Sequence, residues 1–453
     1  MLHGWATGGL IQRGTRRRKT PLPKIMKLRI RLLWTLVAAL FAGQSAIAAE
    51  FYVHPQGNDA SAGTLAQPFA SVTRAQEAAS PGDTVWLRGG NYVFSGTKIE
   101  IGILLNKSGA EGKRINYWAY KDEMPVFDFH QLATPVRIRG ISVTGSWLHL
   151  RGLEVRGVQQ ILTNTNESWG IRVEGGSHNI FERLNLHHNE GPGFFIAEGG
   201  HNLVLNCDSH HNYDPDKRGE NADGFGGHAS MDGNVFRGCR AWFNSDDGYD
   251  LIHARGVHRI EHSWAWSNGF IPDTAERAGN GGGFKMGGWL LNPARFPGHI
   301  PVHTITHSLA FNNRAEGFNA NYQPGMLRFY NNTAFNNPTQ FNLKVAPRQT
   351  KPVTHVLRNN VALGEAPPLS GHERFPPDDQ FNAWNLENFT VTADDFLSTD
   401  PKGTDGPRQP DGSLPEIAFM RPKPGSRLID AGISVELPFK GTAPDLGAFE
   451  MTK

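Results

Sequence analysis

Apolar and polar residues alternate in short runs along most of the chain. Asn202-Leu203-Val204-Leu205 and His258-Arg259-Ile260-Glu261 are typical: period-two stretches of strand length, with no helical stretch between them. Each leads into a second segment of fixed character. These segments are Asn206 to Asn212, Gly238 to Asn244, His262 to Asn268, His307 to Asn313 and Asn331 to Asn337, with Arg183 to Asn189 as an earlier, weaker copy. The closing asparagines, Asn189, Asn212, Asn244, Asn268, Asn313 and Asn337, fall about 23, 32, 24, 45 and 24 residues apart. A basic turn of about 23 residues, with insertions of roughly 9 and 21, is the pattern of a solenoid whose loops leave one face. Strands this short at this period predict an all-β fold, a parallel β-helix. A propeller blade would need about twice the period, and a leucine-rich repeat its own leucine spacing.

Stacked asparagines at a bend can hydrogen-bond turn above turn and tolerate the left-handed conformation, so the ladder is given a structural role. His187, His188, His210 and His211 accompany it and are read as buried ladder positions rather than metal ligands.

The ends break the pattern. Phe51-Tyr52-Val53 alternates into a strand, and Ser71 to Ala79 reads as a short capping helix, with Ser71 as its cap and Val72, Ala75, Ala78 and Ala79 on one face. A helix there would cover the open end of the strand stack. After about residue 365 the repeat fades into Pro-rich sequence, in which Leu428 to Gly432 and Asp445 to Glu450 read as an extended cap packed on the coil. Residues 1–49 read as an upstream extension and a signal peptide. Met26-Lys27-Leu28-Arg29-Ile30-Arg31 is a basic start, Leu32 to Ala42 is apolar but too short to span a bilayer, and Ala46-Ile47-Ala48 offers a cleavage site. Residues 1–25 are read as an over-extended start. The organisation expected is a leader at 1–49, a β-helix catalytic domain with its N-terminal cap at 50–365, and an irregular segment at 366–453. The mature protein is expected to be secreted, extracellular or periplasmic, after cleavage near Ala48.

Composition narrows this little. In 453 residues, 52 glycines and only 19% charged residues argue against long surface helices and coiled coils. A net charge of +2 makes no case for nucleic acid or a membrane surface, and a monomer is expected. Cys207 and Cys239 share one register. Turns stacked about 4.8 Å apart lie within disulfide range, but side chains stacked in parallel point the same way, which favours two buried thiols.

The candidate chemistry lies between Asn221 and Lys285. Gly193-Phe194, Gly224-Phe225, Gly248-Tyr249, Gly283-Phe284 and Gly317-Phe318 fall in one column. The residue before each glycine is Pro192, Asp223, Asp247, Gly282 or Glu316. The residue after each aromatic is Phe195, Gly226, Asp250, Lys285 or Asn319. Asp223 and Asp247 are therefore expected about 5 Å apart on adjacent turns, with Asp250 and Lys285 likewise paired and Asp246 beside them. Four carboxylates so close repel one another unless a cation holds them or some are protonated. Calcium suits such a set: it takes six to eight oxygen ligands in flexible geometry. The other reading is a solvated acidic patch with Lys285 as its salt-bridge partner. Lys285 lies in a Gly-rich run that leaves room for a substrate, and serves as a base only if its pKa falls.

On these residues the chain resembles polysaccharide lyase family nine, the secreted calcium-dependent pectate lyases with a right-handed parallel β-helix. The likeness covers roughly residues 50–450, and its specific part is Asp223, Asp246, Asp247, Asp250 and Lys285. The resemblance implies that the four aspartates hold Ca²⁺, that Lys285 is the general base, and that the substrate is an acidic polysaccharide such as polygalacturonate. The ends resemble those of secreted β-helix proteins generally. The chemistry fits a uronic acid, whose C5 proton lies α to a carboxylate: its removal and loss of the C4 oxygen leave a 4,5-unsaturated sugar. Arg255, Arg277, Arg314 and Lys344 are expected near the same face, each more simply a surface charge than a substrate ligand. Three rival readings remain. A polygalacturonase-like hydrolase would use Asp246 and Asp247 as acid and base, but its Gly-His-Gly and Arg-Ile-Lys sequences do not occur here. A uronan epimerase needs a proton donor on the opposite sugar face. A non-catalytic glycan-binding β-helix has no use for Lys285.

Overall fold

The computed structural model describes residues 48–160, 167–289, 291, 294 and 296–451. Of the leader expected at residues 1–49, residues 1–47 lie outside them. The chain winds into a parallel β-helix, each coil giving one short strand to each of three sheets. The first sheet has 12 strands, from Glu50–Val53 to Asp378–Asp379. The second has 10, from Gly90–Gly96 to Val361–Leu363, and the third has 10, from Ile101–Leu105 to Leu369–Ser370. Pairing therefore continues past residue 365, where the repeat fades from the sequence.

Alternation in each strand sends every second side chain inward. In the first sheet Phe181, Val204, Phe236, Ile260, Ile305, Phe329 and Leu357 stack in register and are fully buried. Each such side chain contributes about 2 kcal/mol by leaving water. The asparagine ladder runs beside this core. Asn212 Nδ2 donates to Asn244 Oδ1 at 2.8 Å, Asn244 to Asn268 at 3.1 Å, Asn268 to Asn313 at 3.0 Å and Asn313 to Asn337 at 3.1 Å.

One expectation about the ladder shifts by a residue. The left-handed conformation falls on the residue before each ladder asparagine: His188, His211, Phe243, Ser267, Asn312 and Asn336 all have φ between 49° and 55°. The turn thus spends its strain on that residue and leaves the asparagine amide buried to bond. The histidines follow from this. They stack in pairs, His187 on His210 at 5.0 Å and His188 on His211 at 5.4 Å between ring centroids. They lie half-buried or exposed on the outer side, not in the buried positions expected of them: His187 and His210 face out by alternation beside buried Leu186 and Ser209, and His188 and His211 are the left-handed residues of the turn.

The helix Val72–Ala78 has Ser71 as its cap, whose hydroxyl accepts from the Arg74 amide at 3.1 Å. Gln76 ties it to the first coils through the Leu104 carbonyl and the Asn106 amide. The C-terminal segment packs Phe396, Phe419, Met420, Leu428 and Leu446 on Trp242, Trp264, Trp266, Leu309 and Phe311 of the second sheet. Arg240 and Arg408 clamp it there, both bonded to Asp208. Cys207 and Cys239 are buried free thiols, as their parallel stacking predicts.

Candidate active site

The glycine–aromatic column explains how the third sheet presents its polar residues. Phe225, Tyr249, Phe284 and Phe318 point inward and stack, with centroids 5.1, 4.7 and 5.1 Å apart. The glycine before each ring faces the asparagine ladder: a Cβ on Gly224, Gly248 or Gly283 would meet Nδ2 of Asn244, Asn268 or Asn313 at 2.9, 2.9 or 2.8 Å. With the ring turned in, the next residue faces out. Strand pairing sets Arg172, Phe195, Gly226, Asp250, Lys285, Asn319 and Asn342 in one outward row.

Asp223 and Asp247 come together at the start of neighbouring strands, as their register requires. The Asp247 amide donates to Asp223 Oδ1 at 3.0 Å. Carboxylate oxygens of Asp223, Asp247 and Asp250 lie within 4.8 Å of one another, and all three residues are buried. Lys285 Nζ donates to Asp247 Oδ2 at 3.0 Å and to Asp250 Oδ2 at 2.9 Å. The Gly282 amide donates to Asp247 Oδ1 at 2.6 Å, and a Cβ at this position would lie 2.9 Å from that oxygen and displace the carboxylate.

Asp246 is placed differently from its neighbour. Its Oδ2 accepts from the Asn221 amide at 2.7 Å and its Oδ1 from the Asn280 amide at 2.6 Å. It thus ties down the two inserted loops, after Asn212 and after Asn268, beside the three-carboxylate group. The extra residues of the longer coil fall on both sides of Phe284–Lys285, as segments 269–282 and 286–303.

The electrostatics are those of an overcrowded acidic site. Burial, then Asp246, Asp250 and Asp247, push Asp223 well above the usual carboxylate range. Burial also raises Asp247 to about 8, against the pull of Lys285. For Asp246 burial raises the pKa, partly offset by Lys285 and the two loop amides. At Asp250 burial is outweighed by Lys285 and His228, and its pKa falls. Burial disfavours the Lys285 ammonium, but Asp247, Asp250, Asp246 and Asp223 outweigh it and hold its pKa well above the ordinary lysine value. Four buried acids around one ammonium leave surplus negative charge, and an all-oxygen donor set of this kind fits a hard divalent cation.

His228 also belongs to this face, and the column reading passed over it. It stands two residues beyond Gly226, on the same side by alternation, which was the available signal. Its Nε2 lies 4.0 Å from Asp250 Oδ1, its ring meets Phe195 edge-on at 4.6 Å, and burial holds its pKa down to about 4. The basic residues named from sequence divide. Arg314 is a structural clamp, its Nη2 donating to the carbonyls of Gly279 (2.6 Å) and Asn280. The Arg255 guanidinium lies 5.5 Å from the Trp289 ring centroid.

Residues 51–360 match the family described as "Pel9A-like, right handed beta helix region". Pectate lyase L of Dickeya chrysanthemi is 37% identical over 411 residues, which are 88% of this chain and 90% of the relative. Among solved structures, pectate lyase Pel9A is 34% identical, with a TM-score of 0.75 over 89% of this chain and 97% of its own. A structure titled "Rhamnogalacturonan lyase" is 33% identical, with a TM-score of 0.76 over 83% of this chain and 97% of its own.

Proposed function

The chain belongs to the Pel9A-like family of right-handed β-helix proteins, and from that premise we propose that it is a secreted pectate lyase cleaving polygalacturonate by calcium-assisted β-elimination. The observation that carries the reading is the overcrowded group of Asp223, Asp247 and Asp250 with Lys285 bonded into it. Hydrolysis gives that lysine no task. The relatives' activity supports the same choice.

Of the four aspartates expected to hold the calcium ion, Asp223, Asp247 and Asp250 would supply oxygens from one close group, and Asp246 beside them also fixes the two loops. When bound, Ca²⁺ supplies positive charge beside the uronate carboxylate and makes the C5 proton more acidic. The chain's own part is the proton transfer. Hydrogen-bonded to Asp247 and Asp250, Lys285 is an ammonium and accepts nothing. It becomes a base once those carboxylates are engaged by another cation, because the charges that raise its pKa are then neutralised. Neutral Lys285 takes the C5 proton, the C4–O bond breaks, and the electron pair of the C5–H bond becomes the 4,5 double bond. The C4 oxygen leaves with its electrons and is protonated in turn, so no water is consumed. The basic start and apolar run at residues 26–42 support export, and among the described residues no helix is long and apolar enough to cross a membrane.

Digestion of polygalacturonate in heavy-oxygen water tests the reaction class. A lyase leaves products without solvent oxygen and with one unsaturated end per cut. Incorporation of heavy oxygen at each new reducing end would mean a hydrolase. The likeness to the solved rhamnogalacturonan lyase, equal to that with Pel9A, supports rhamnogalacturonan as the second substrate reading, and relative rates on the two polymers decide between them.

A further inference from the structure

We propose that His228 is a substrate-binding residue that, with Asp250, grips a free hydroxyl of the uronan beside the reacting sugar. The proposal rests on the lyase reading above. Nε2 of His228 is buried and has no hydrogen-bond partner among the described residues. Such an atom beside buried carboxylates calls for a ligand. Asp250 Oδ1 lies 4.0 Å away, too far for a direct bond. An oxygen about 2.8 Å from both atoms fits that gap.

The chemistry of the gap selects the group. One side is an imidazole nitrogen that donates when it carries the ring proton, the other a carboxylate acceptor. A hydroxyl accepts from the first and donates to the second, and a uronate carboxylate would be repelled by Asp250. An ester has no proton to donate, so an O-acetylated sugar is rejected at this point. Calcium prefers oxygen ligands, which argues against the imidazole as a metal ligand.

The ring is held in advance. Phe195 meets it edge-on at 4.6 Å, and the His228 amide donates to the Ile196 carbonyl at 2.9 Å. Phe195 itself lies over Gly226, where a Cβ would meet its ring at 2.4 Å. Asp250 links the two functions, with Oδ2 on Lys285 and Oδ1, which accepts from the Ile252 amide at 2.6 Å and keeps a second lone pair, facing His228. The gripped hydroxyl therefore belongs to the sugar presented to Lys285 or to its immediate neighbour.

The test is binding, measured by calorimetry in the Lys285→Ala protein with calcium and a trigalacturonate probe. His228→Ala should weaken binding about tenfold, the loss of one hydrogen bond to a site group. His228→Gln, which keeps an N–H donor, should recover most of it. Calcium affinity without the sugar should not move, and an O-acetylated trigalacturonate should bind weakly and be insensitive to His228→Ala. Unchanged trigalacturonate binding, or a parallel loss of calcium affinity, overturns the proposal and leaves the lyase reading standing. If the Lys285→Ala parent binds no uronide and the wild type forms no unsaturated product, both fall together.

Discussion

Lys285 and the four aspartates divide their work residue by residue. Lys285→Ala should lower kcat by roughly a thousandfold, the scale of a lost general base, while the fold persists. Calcium affinity in that variant should be kept or raised, since a competing ammonium has gone; calcium titration checks it, and loss of binding contradicts the base assignment. Asp246 and Asp247 are adjacent but unequal. Asp247→Asn removes an oxygen from the three-carboxylate group and should weaken calcium binding steeply. Asp246→Asn strips an acceptor from the Asn221 or Asn280 amide and should lower calcium affinity only about tenfold, as outer-sphere changes do. The sequence places both in one ligand set, since register fixes a residue's height on the coil but not the rotamer of its carboxylate, and the contrast between these two variants tests whether Asp246 is a ligand or a loop anchor. His228 escaped for a related reason: alternation from Gly226 puts it on the same face, but the 4.0 Å gap between its Nε2 and Asp250 Oδ1 depends on rotamers that spacing does not fix.

At the scale of the coil, the readable signal is the one that hydrogen bonding forces to repeat. Asn268 is buried, accepts from the Asn244 amide and side chain, and donates to Asn313 and to the Ala241 carbonyl. Asn268→Ala therefore leaves several buried groups unpaired and should cost about 3 kcal/mol or more, read as a lower urea midpoint. Its neighbour column had to be glycine, so the Asn and Gly-aromatic patterns were legible together. A second ladder was not. It runs through Asn179, Asn202 and Asn234; the same register is then held by His258, whose amide donates to His303 Nδ1, and because the residues change identity no single letter marks it. The paired thiols belong to this scale too. Cys207 and Cys239 should react with a thiol reagent only after unfolding, and reductant should leave the melting temperature unchanged.

Over the whole molecule, the strained acidic site becomes a dependence of stability on pH. Asp247, raised to about 8, and Asp223, raised well above its usual range, keep protons that the unfolded chain has released by about pH 4. Between about pH 4 and 8 the folded state binds more protons, so these two groups make the metal-free protein less stable as pH rises. Lys285 does not offset the trend. Its raised pKa gives stability that is fully present below the ordinary lysine value and is lost only at still higher pH. The gain in melting temperature from calcium over chelator should therefore widen as pH rises through that window. A constant gain would mean that the aspartates are not the calcium site. The most direct measurement follows the ultraviolet absorbance of unsaturated uronide during incubation with polygalacturonate. Absorbance should grow with calcium, stop with chelator, return when calcium is restored, and grow roughly a thousandfold more slowly for Lys285→Ala at any calcium concentration. Growth that persists under chelator, or that nears the wild-type rate in Lys285→Ala, would contradict the account.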